Sequence, residues 1–398
     1  MTAGSRPRVA VVGLGAISQS VHLPLIRRNA ERLELAAVVD LSRDRARAIA
    51  AAHGGAVAAF GSIDELLAAV AEGAVAVDGV VLATSGSHAP DVERLVAAGI
   101  RVLAEKPLAF SLAEIERLRA TAAEAGRDPA DWVRVGYMKE HDPASEMARE
   151  LLANVRLRHV QVEVLHPADG AQLAFANLAA PPADVPEQTI AALMAQTSEI
   201  ILHAIGTTEE PLAKLYPNVV LGSVIHDIGL LRHLVGGIGA VDRAAHWAGF
   251  PGSVSLGGRL AEQPDVPWAI DWHFIPEYPE YRETATFHHE QGSISLRFAV
   301  PYVLNAPTVL TVVDGVAPLG SRIAETRFMQ EEAFERELRA FADLLEGRPS
   351  DGPSVDAAAA DILVGQRMIR AIAEAAGTPL PSGAEAAAAP NPSAPTET

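Results

Sequence analysis

Two domains of the α/β class are predicted by this 398-residue sequence. A doubly wound parallel sheet comes first, followed by an α+β domain on a large, mainly antiparallel open sheet. Three observations predict them. From Arg8 to about Gly136, short β-branched runs alternate with Ala/Leu/Arg-rich helical stretches, the pattern of a parallel sheet covered on both faces. After about Val160 strand-like runs follow one another with no helix between the later ones, which favours antiparallel pairing. The 49% hydrophobic content supplies enough apolar material for two packed cores.

In the first domain the runs Arg8–Val12, Leu35–Val39, Gly79–Ala83, Val102–Ala104 and Val133–Tyr137 read as buried parallel strands, with a weaker one near Ala56–Phe60. In the second, strands are predicted at Val160–Val164, Trp268–Phe274, Thr284–His288, Ser293–Phe298 and Val309–Val313. The expected divisions are 1–136 for the first domain and 137–350 for the second. Within the second, the proline-bearing stretch 167–217 reads as a helical insert, too long for a simple loop, with a helix around Ile190–Leu202. Two amphipathic helices, about Glu331–Leu345 and Val355–Ala375, have the length and period to pack back on the first domain, the latter within a C-terminal division 351–380. Residues 381–398, rich in Ala, Pro and Ser, read as a disordered tail.

Lys and Arg total 32 against 50 Asp and Glu, a formal charge of −18, and no basic run interrupts this balance. Nucleic acid and anionic membranes are thereby excluded as expected partners. With no cysteine, neither a disulfide framework, nor a thiolate metal site, nor a thiol nucleophile is available, and the cytoplasm is the expected compartment. The first residues lead into a short apolar run broken by Gly13 and Gly15, which reads as neither a signal segment nor a membrane span. His88, His141, His159, His203, His288 and His289 lack the spacing of a zinc motif, so no metal is expected.

Immediately after the first strand stands Gly13-Leu14-Gly15-Ala16-Ile17-Ser18. The first glycine permits a tight turn, the second lets backbone approach a pyrophosphate, and the N-terminus of the following helix would hold the phosphates. Ser18 occupies the place of a third glycine, so helix and strand are expected slightly further apart. Asp40 closes the next strand as an acid suited to ribose hydroxyls, the arrangement of a Rossmann dinucleotide-binding domain. Asp40 would repel a 2′-phosphate and favours NAD. Arg43 and Arg45 close by leave NADP possible.

The run Val102-Leu-Ala-Glu105-Lys106-Pro107 follows a strand and precedes a helix opened by a Ser111/Glu114 capping box. It resembles the Glu-Lys-Pro signature of the Gfo/Idh/MocA oxidoreductases. Ala83-Thr84-Ser85-Gly86-Ser87-His88 resembles the same family's Thr-Pro-Asn…His loop, and Val135-Gly136-Tyr137-Met138-Lys139-Glu140-His141-Asp142-Pro143 the strand that opens its second domain. The resemblance implies a cofactor site of Gly13, Gly15, Ala16, Ile17, Asp40, Arg43, Thr84, Ser85, His88, Glu105 and Lys106. It also implies that Lys106 stands beside the nicotinamide, where an ammonium steadies a substrate oxygen during hydride transfer.

The stretch from Ser223 to a C-terminal stop at Gly236 reads as a helix with His226 in its first turn. It resembles the family's catalytic helix, in which an Asp precedes the His by four residues; here that position is Gly222. His226 is the expected general acid/base, because an imidazole titrates near neutral pH. Asp227 is the expected source of neighbouring charge, and Lys139, Glu140 and Arg232 either face the cleft or lie solvated on the surface.

The resemblance therefore implies an NAD(P)-dependent dehydrogenase or ketoreductase acting on a sugar, nucleotide sugar, sugar acid or cyclitol. One alternative is a redox-neutral lyase, hydrolase or epimerase with tightly held NAD. Another is a non-catalytic dinucleotide-binding regulatory protein. The second-domain sheet, expected to expose an apolar face, resembles the surface through which the family dimerises or tetramerises, so a homo-oligomer is expected.

Overall fold

A computed structural model of the protein describes the chain outside residues 1–5, 55, 169, 171, 172, 174, 175, 177, 179–182, 317–319 and 393–398. Part of the expected insert and the last six residues of the expected tail thus lie outside the described residues. Two compact units divide the chain. One comprises Met1–Gly136, Phe175–Ile200 and Phe334–Ala359, the other Tyr137–Ala174, Ile201–Ala333 and Ala360–Thr398.

The first unit holds β1 (Arg8–Val12), α1 (Leu23–Arg28), β2 (Glu34–Val39), α2 (Arg43–Ala52), β3 (Ala58–Phe60), α3 (Ile63–Ala71), β4 (Gly79–Leu82), α4 (Ala89–Ala97), β5 (Arg101–Glu105), α5 (Leu112–Glu124) and β6 (Val133–Gly136). The strands run parallel in the order β3-β2-β1-β4-β5-β6. Because successive strands leave β1 in opposite directions, a crevice opens at the carboxyl ends of β1 and β4. Val9, Ala10, Val11, Val80, Val81 and Leu82 are fully buried, as strands covered on both faces require. The predicted capping box is present, Ser111 accepting from the Glu114 N–H while the Glu114 carboxylate returns to the Ser111 N–H.

In the second unit α6 (Pro143–Leu152) leads into β7 (Leu157–His166). Helix α7 (Glu187–Ile205) runs from the first unit's share of the chain into the second's, and α8 (Ile225–Val235) follows it. Seven strands come next: β8 (Ile238–Trp247), β9 (Ser253–Leu260), β10 (Pro267–Phe274), β11 (Arg282–His289), β12 (Gly292–Phe298), β13 (Val309–Val316) and β14 (Gly320–Arg327). With β7 they form one sheet in the order β14-β13-β12-β11-β7-β10-β9-β8, antiparallel throughout except β7 against β10. Strands β8, β9 and β14 escaped the sequence reading, because Gly257-Gly258 and the charged run of β14 lack the apolar alternation that marks a strand.

Side chains alternate across this sheet: Val160, Val162, Val164, Ala285, Phe287, Ile294 and Leu296 are buried on one face. The opposite face carries Gln161, Thr286, Ser295 and Thr311, with Ser295 Oγ donating to Thr286 Oγ1 at 3.1 Å. The apolar open face expected here is therefore polar, because period-2 alternation sends the valines of β7 and Ala285 and Phe287 of β11 inward.

The C-terminal divisions also differ from expectation. Helix α9 (Ala333–Leu345), counted within the expected division 137–350, packs on the first unit as its amphipathic period predicts, and Gly79 lets it approach β4 so closely that a Cβ there would lie 2.6 Å from Leu345. Helix α10 (Val355–Ala375), expected to pack on the first domain, joins the second unit from Ala360 onward. Asp361 pairs with Arg232, and Gly365 admits Leu221, which would lie 2.9 Å from an added Cβ. Residues 381–392, expected disordered, are structured through α11 (Glu385–Ala388). The Asn391 amide donates to the Val241 carbonyl and accepts from its N–H, covering part of edge strand β8, while Arg370 donates to the Ala389 carbonyl.

Candidate functional site

The crevice of the first unit is built by glycines. Gly13, directly after β1, has φ +84° and receives the β2 backbone, its N–H donating to the Val39 carbonyl at 2.9 Å. A Cβ on Gly13 would lie 2.5 Å from the Ala83 carbonyl oxygen and 2.7 Å from the Thr84 nitrogen, so only glycine lets the turn close against the β4 loop. At Gly15 an added Cβ meets nothing within 4 Å: the backbone there faces open space. Ala16 and Ile17 begin the following helix, which is π-helical over Ser18–His22 before continuing as α1.

Ser18 is fully buried and its hydroxyl donates to the Gly13 carbonyl at 2.5 Å. The serine in the third fingerprint position thus bonds the turn it was expected to push away.

Asp40 closes β2. Its carboxylate accepts from the Leu14 N–H and the Ser42 N–H, both at 2.8 Å, and lies 3.6 Å from the Arg45 guanidinium. An acid so placed ties the glycine turn to the β2–α2 turn and presents negative charge where ribose hydroxyls need an acceptor. Arg43, expected to touch cofactor, instead pairs with Glu65 across the α2–α3 face. That pairing holds Arg43 above, and Glu65 below, its ordinary pKa.

The remaining expected cofactor residues lie along the ends of β4 and β5. Thr84 is half-buried and Ser85 exposed. His88 is buried, its Nδ1 2.7 Å from the Pro107 carbonyl and its Nε2 2.9 Å from the Thr84 carbonyl. Burial lowers its pKa against the opposing pull of those carbonyls and of Glu105. His88 therefore packs between the β4 loop and the Lys106–Pro107 segment, the single N–H of its neutral ring donating to one of these two carbonyls. Glu105 pairs with His22, 2.8 Å distant. Burial pushes the Glu105 carboxyl up, but the bond to His22, the charge on His22 and then Lys106 more than reverse this and hold it below its ordinary value. His22, two turns into the helix from the fingerprint, was not singled out from sequence; only a buried acid opposite could have revealed it. Lys106 follows β5 directly and is half-buried.

In the second unit α8 is preceded by a π-helical segment, Tyr216–Val224, and ends at Gly236 with φ +79°, the predicted stop. His226 is half-buried in the first turn of α8. Gly222 lies in the π-helical segment, where a Cβ would come 3.1 Å from the Pro217 carbonyl. The π geometry thus crowds the very position at which a carboxylate was looked for. Ser223 beside it accepts from the Trp272 indole N–H at 2.9 Å, which pins the segment to β10.

Asp227 does not share the exposure of His226. Its side chain is buried and lies 3.1 Å from Lys139 Nζ, which also pairs with Glu283; Tyr281 donates to Glu283 at 2.7 Å. One ammonium between two buried carboxylates would leave a net negative charge. Burial and the neighbouring Glu283 push Asp227 well up against the pull of Lys139. Glu283, also pushed up by burial, is held below its ordinary value by Lys139 and by the bonds from Asp227 and Tyr281. Lys139 is raised because the two acids outweigh its desolvation. Lys139 is therefore neither in a cleft nor solvated. Arg232 stays partly exposed, its guanidinium holding Asp361 at 2.9 and 3.1 Å and Glu140 at 2.6 Å. Sequence reasoning missed Glu283 and Asp361, both distant along the chain from the groups they hold, and Tyr281, which bonds Glu283. Lys106 and the fingerprint belong to the first unit, His226 and its neighbours to the second.

Among the described residues no cluster of three or more His, Asp or Glu could hold a metal ion, and no helix is long and apolar enough to cross a membrane.

Residues 7–129 match the family described as "Oxidoreductase family, NAD-binding Rossmann fold". The chain is similar to inositol 2-dehydrogenase 3 of Saccharopolyspora erythraea, 33% identical over 146 residues, which cover 36% of this chain and 40% of that relative. It is also similar to an inositol 2-dehydrogenase of Leifsonia xyli, 34% identical over 155 residues, 39% of this chain and 42% of the relative. The matched part spans about two fifths of the length of these curated relatives. Over almost the whole chain the fold is similar to solved structures. KijD10, a 3-ketoreductase from Actinomadura kijaniata in complex with TDP-benzene and NADP, superimposes with a TM-score of 0.65 at 16% identity, covering 92% of this chain and 97% of that one. The UDP-N-acetylglucosamine 3-dehydrogenase GnnA from Acidithiobacillus ferrooxidans does so with a TM-score of 0.65 at 19% identity, covering 92% and 98%.

Proposed function

From the match of residues 7–129 to the Gfo/Idh/MocA oxidoreductase family, we propose that the chain is an NAD-dependent dehydrogenase or ketoreductase. Its substrate is a polyhydroxylated small molecule: a cyclitol, sugar or nucleotide sugar. One observation carries the reading. At the carboxyl ends of β1 and β4, Gly13 closes against Ala83, Gly15 leaves its backbone open, and Asp40 stands at the end of β2. These are the requirements of a pyrophosphate and a ribose diol.

In this reading the N–H groups at the start of the helix after Gly15 take the pyrophosphate, Asp40 accepts from the adenosine ribose, and the Thr84–Ser85 loop borders the nicotinamide end. The bound dinucleotide supplies the hydride acceptor or donor. Lys106 donates to the substrate oxygen at the reacting carbon, and its position is steadied by His88 between the Pro107 and Thr84 carbonyls. His226 takes the hydroxyl proton in oxidation and returns it in reduction. Asp227, bound to Lys139, acts on His226 only through the placement of the first turn of α8. The homo-oligomer, dimer or tetramer, that the family resemblance implies belongs to the same proposal and is read by light scattering.

A second reading, a redox-neutral enzyme with retained NAD, is favoured by one feature. The segment that includes α7 reaches Ser42 near one end of the crevice and Gly86 near the other, which would slow release of a bound nucleotide. The test for both is to purify the protein without added nucleotide, denature it, identify any nicotinamide released, and then follow reduced nicotinamide with inositols and nucleotide sugars. Steady NADH production supports the dehydrogenase, stoichiometric retained nucleotide with turnover but no net NADH supports the second reading, and failure to bind either nucleotide refutes both.

A further inference from the structure

The β2–α2 turn is where dinucleotide-binding domains separate NAD from NADP, because the adenosine 2′ position lies beside the acid that ends β2. In this chain the turn is met by a residue from far along the sequence. Asp184, in the segment leading into α7, accepts from the Ser42 hydroxyl at 2.5 Å and from the Asp44 N–H at 3.1 Å. Ser42 is the N-cap of α2, its Oγ accepting from the Arg45 N–H, so the Asp184 carboxylate sits at the positive end of a ten-residue helix. Hydrogen bonds from Ser42 and from the Asp44 backbone hold Asp184 below its ordinary pKa, so the group is anionic at neutral pH.

The other donors of this turn are committed to carboxylates as well. The Ser42 N–H goes to Asp40, Arg45 lies 3.6 Å from Asp40, and Arg43 is taken by Glu65. Both arginines that the sequence offers as partners for a phosphate are thus already paired. A 2′-phosphate would find the helix N-terminus filled by one carboxylate and a second, Asp40, beside it. A 2′-hydroxyl is itself a donor and meets no such conflict.

We propose that Asp184 is a specificity-determining residue, an internal anion that occupies the place of the adenosine 2′-phosphate and restricts the site to NAD. The proposal rests on the dinucleotide-binding reading above and goes beyond it, since it assigns to the segment before α7 a part in cofactor choice. Asp40 alone excludes phosphate by repulsion, whereas Asp184 also consumes the donors that would otherwise compensate.

The experiment is a fluorescence titration with NADH and with NADPH of the full-length protein and of Asp184→Ala and Asp184→Asn, each checked for native circular dichroism. The protein is expected to bind NADH more tightly than NADPH. The ratio of the two dissociation constants should narrow about tenfold in Asp184→Ala, and nearly as much in Asp184→Asn, which keeps the size but not the charge. NADH binding with an unchanged ratio in both folded variants overturns the proposal and leaves the dinucleotide reading standing. A wild-type preference for NADPH likewise overturns the proposal alone. Binding of neither nucleotide by the wild-type protein overturns the dinucleotide reading and the proposal with it.

Discussion

Gly13→Ala and Gly15→Ala, two residues apart, are expected to fail in different ways. At Gly13 the backbone has φ +84°, which costs an alanine about 1–2 kcal/mol. The added methyl also lies 2.5 Å from the Ala83 oxygen, 2.6 Å from its carbonyl carbon and 2.7 Å from the Thr84 nitrogen. These are backbone atoms of a buried loop, so relief requires β1 and β4 to part, an overpacking cost of about 1–3 kcal/mol. The sum, roughly 2–5 kcal/mol, should lower the melting temperature of the first unit by about 4–20 °C. At Gly15 the methyl meets nothing within 4 Å, so the melting temperature should stay within about 2 °C of wild type. The same methyl enters the open space assigned to the pyrophosphate and should weaken NADH at least tenfold. Differential scanning calorimetry read beside an NADH titration checks both. If Gly13→Ala melts with the wild type, or Gly15→Ala binds NADH as the wild type does, the crevice has been misassigned.

Lys106→Ala should lower kcat about 100- to 1000-fold on whichever polyol supports turnover while NADH binding stays measurable; an unchanged kcat removes Lys106 from the chemistry. His226→Gln should lower kcat about 100-fold or more while NADH binding stays measurable, and an unchanged kcat would assign the proton transfer to another group. Lys139→Met strands the buried Glu283 carboxylate and its Asp227 partner and should cost about 3–5 kcal/mol by urea denaturation, with partial recovery in the Lys139→Met, Glu283→Gln double variant; a single variant as stable as wild type would mean the cluster is hydrated. Asp361 is pushed up by burial to about 6 from 3.8, against the pull of Arg232. Between these values the folded chain holds a proton that the unfolded chain has lost. This group's contribution, about 3 kcal/mol, is thus present below pH 4 and lost as pH rises through 6. Urea denaturation of wild type and Asp361→Asn across this window should show the variant losing less stability as pH rises; parallel profiles would refute the raised pKa.

How much of this was written locally can be read from particular elements. The central strands of the first sheet were visible because β1 and β4 are short apolar runs buried on both faces. The Ser111/Glu114 box and the Gly236 stop were visible because capping is decided within four residues. Gly13, Gly15 and Asp40 were visible because a tight turn, a close backbone approach and an acid at a strand end each demand one residue type. Strands β8, β9 and β14 were hidden, since their pairing comes from neighbours and not from their own glycine-rich or charged sequences.

The sequence by itself thus determined the fold class and the fingerprint, which short-range sterics and periodicity set, while Lys106 and His226 were candidates through their resemblance to the Gfo/Idh/MocA pattern. Only the tertiary structure decided which charges are engaged: Asp227 with Lys139 and Glu283, Arg232 with Asp361, Glu105 with His22, Asp184 with the head of α2. Charge acts through space and depends on burial, and neither the distance between groups far apart in the chain nor the water left around them is carried by the identity of any single residue.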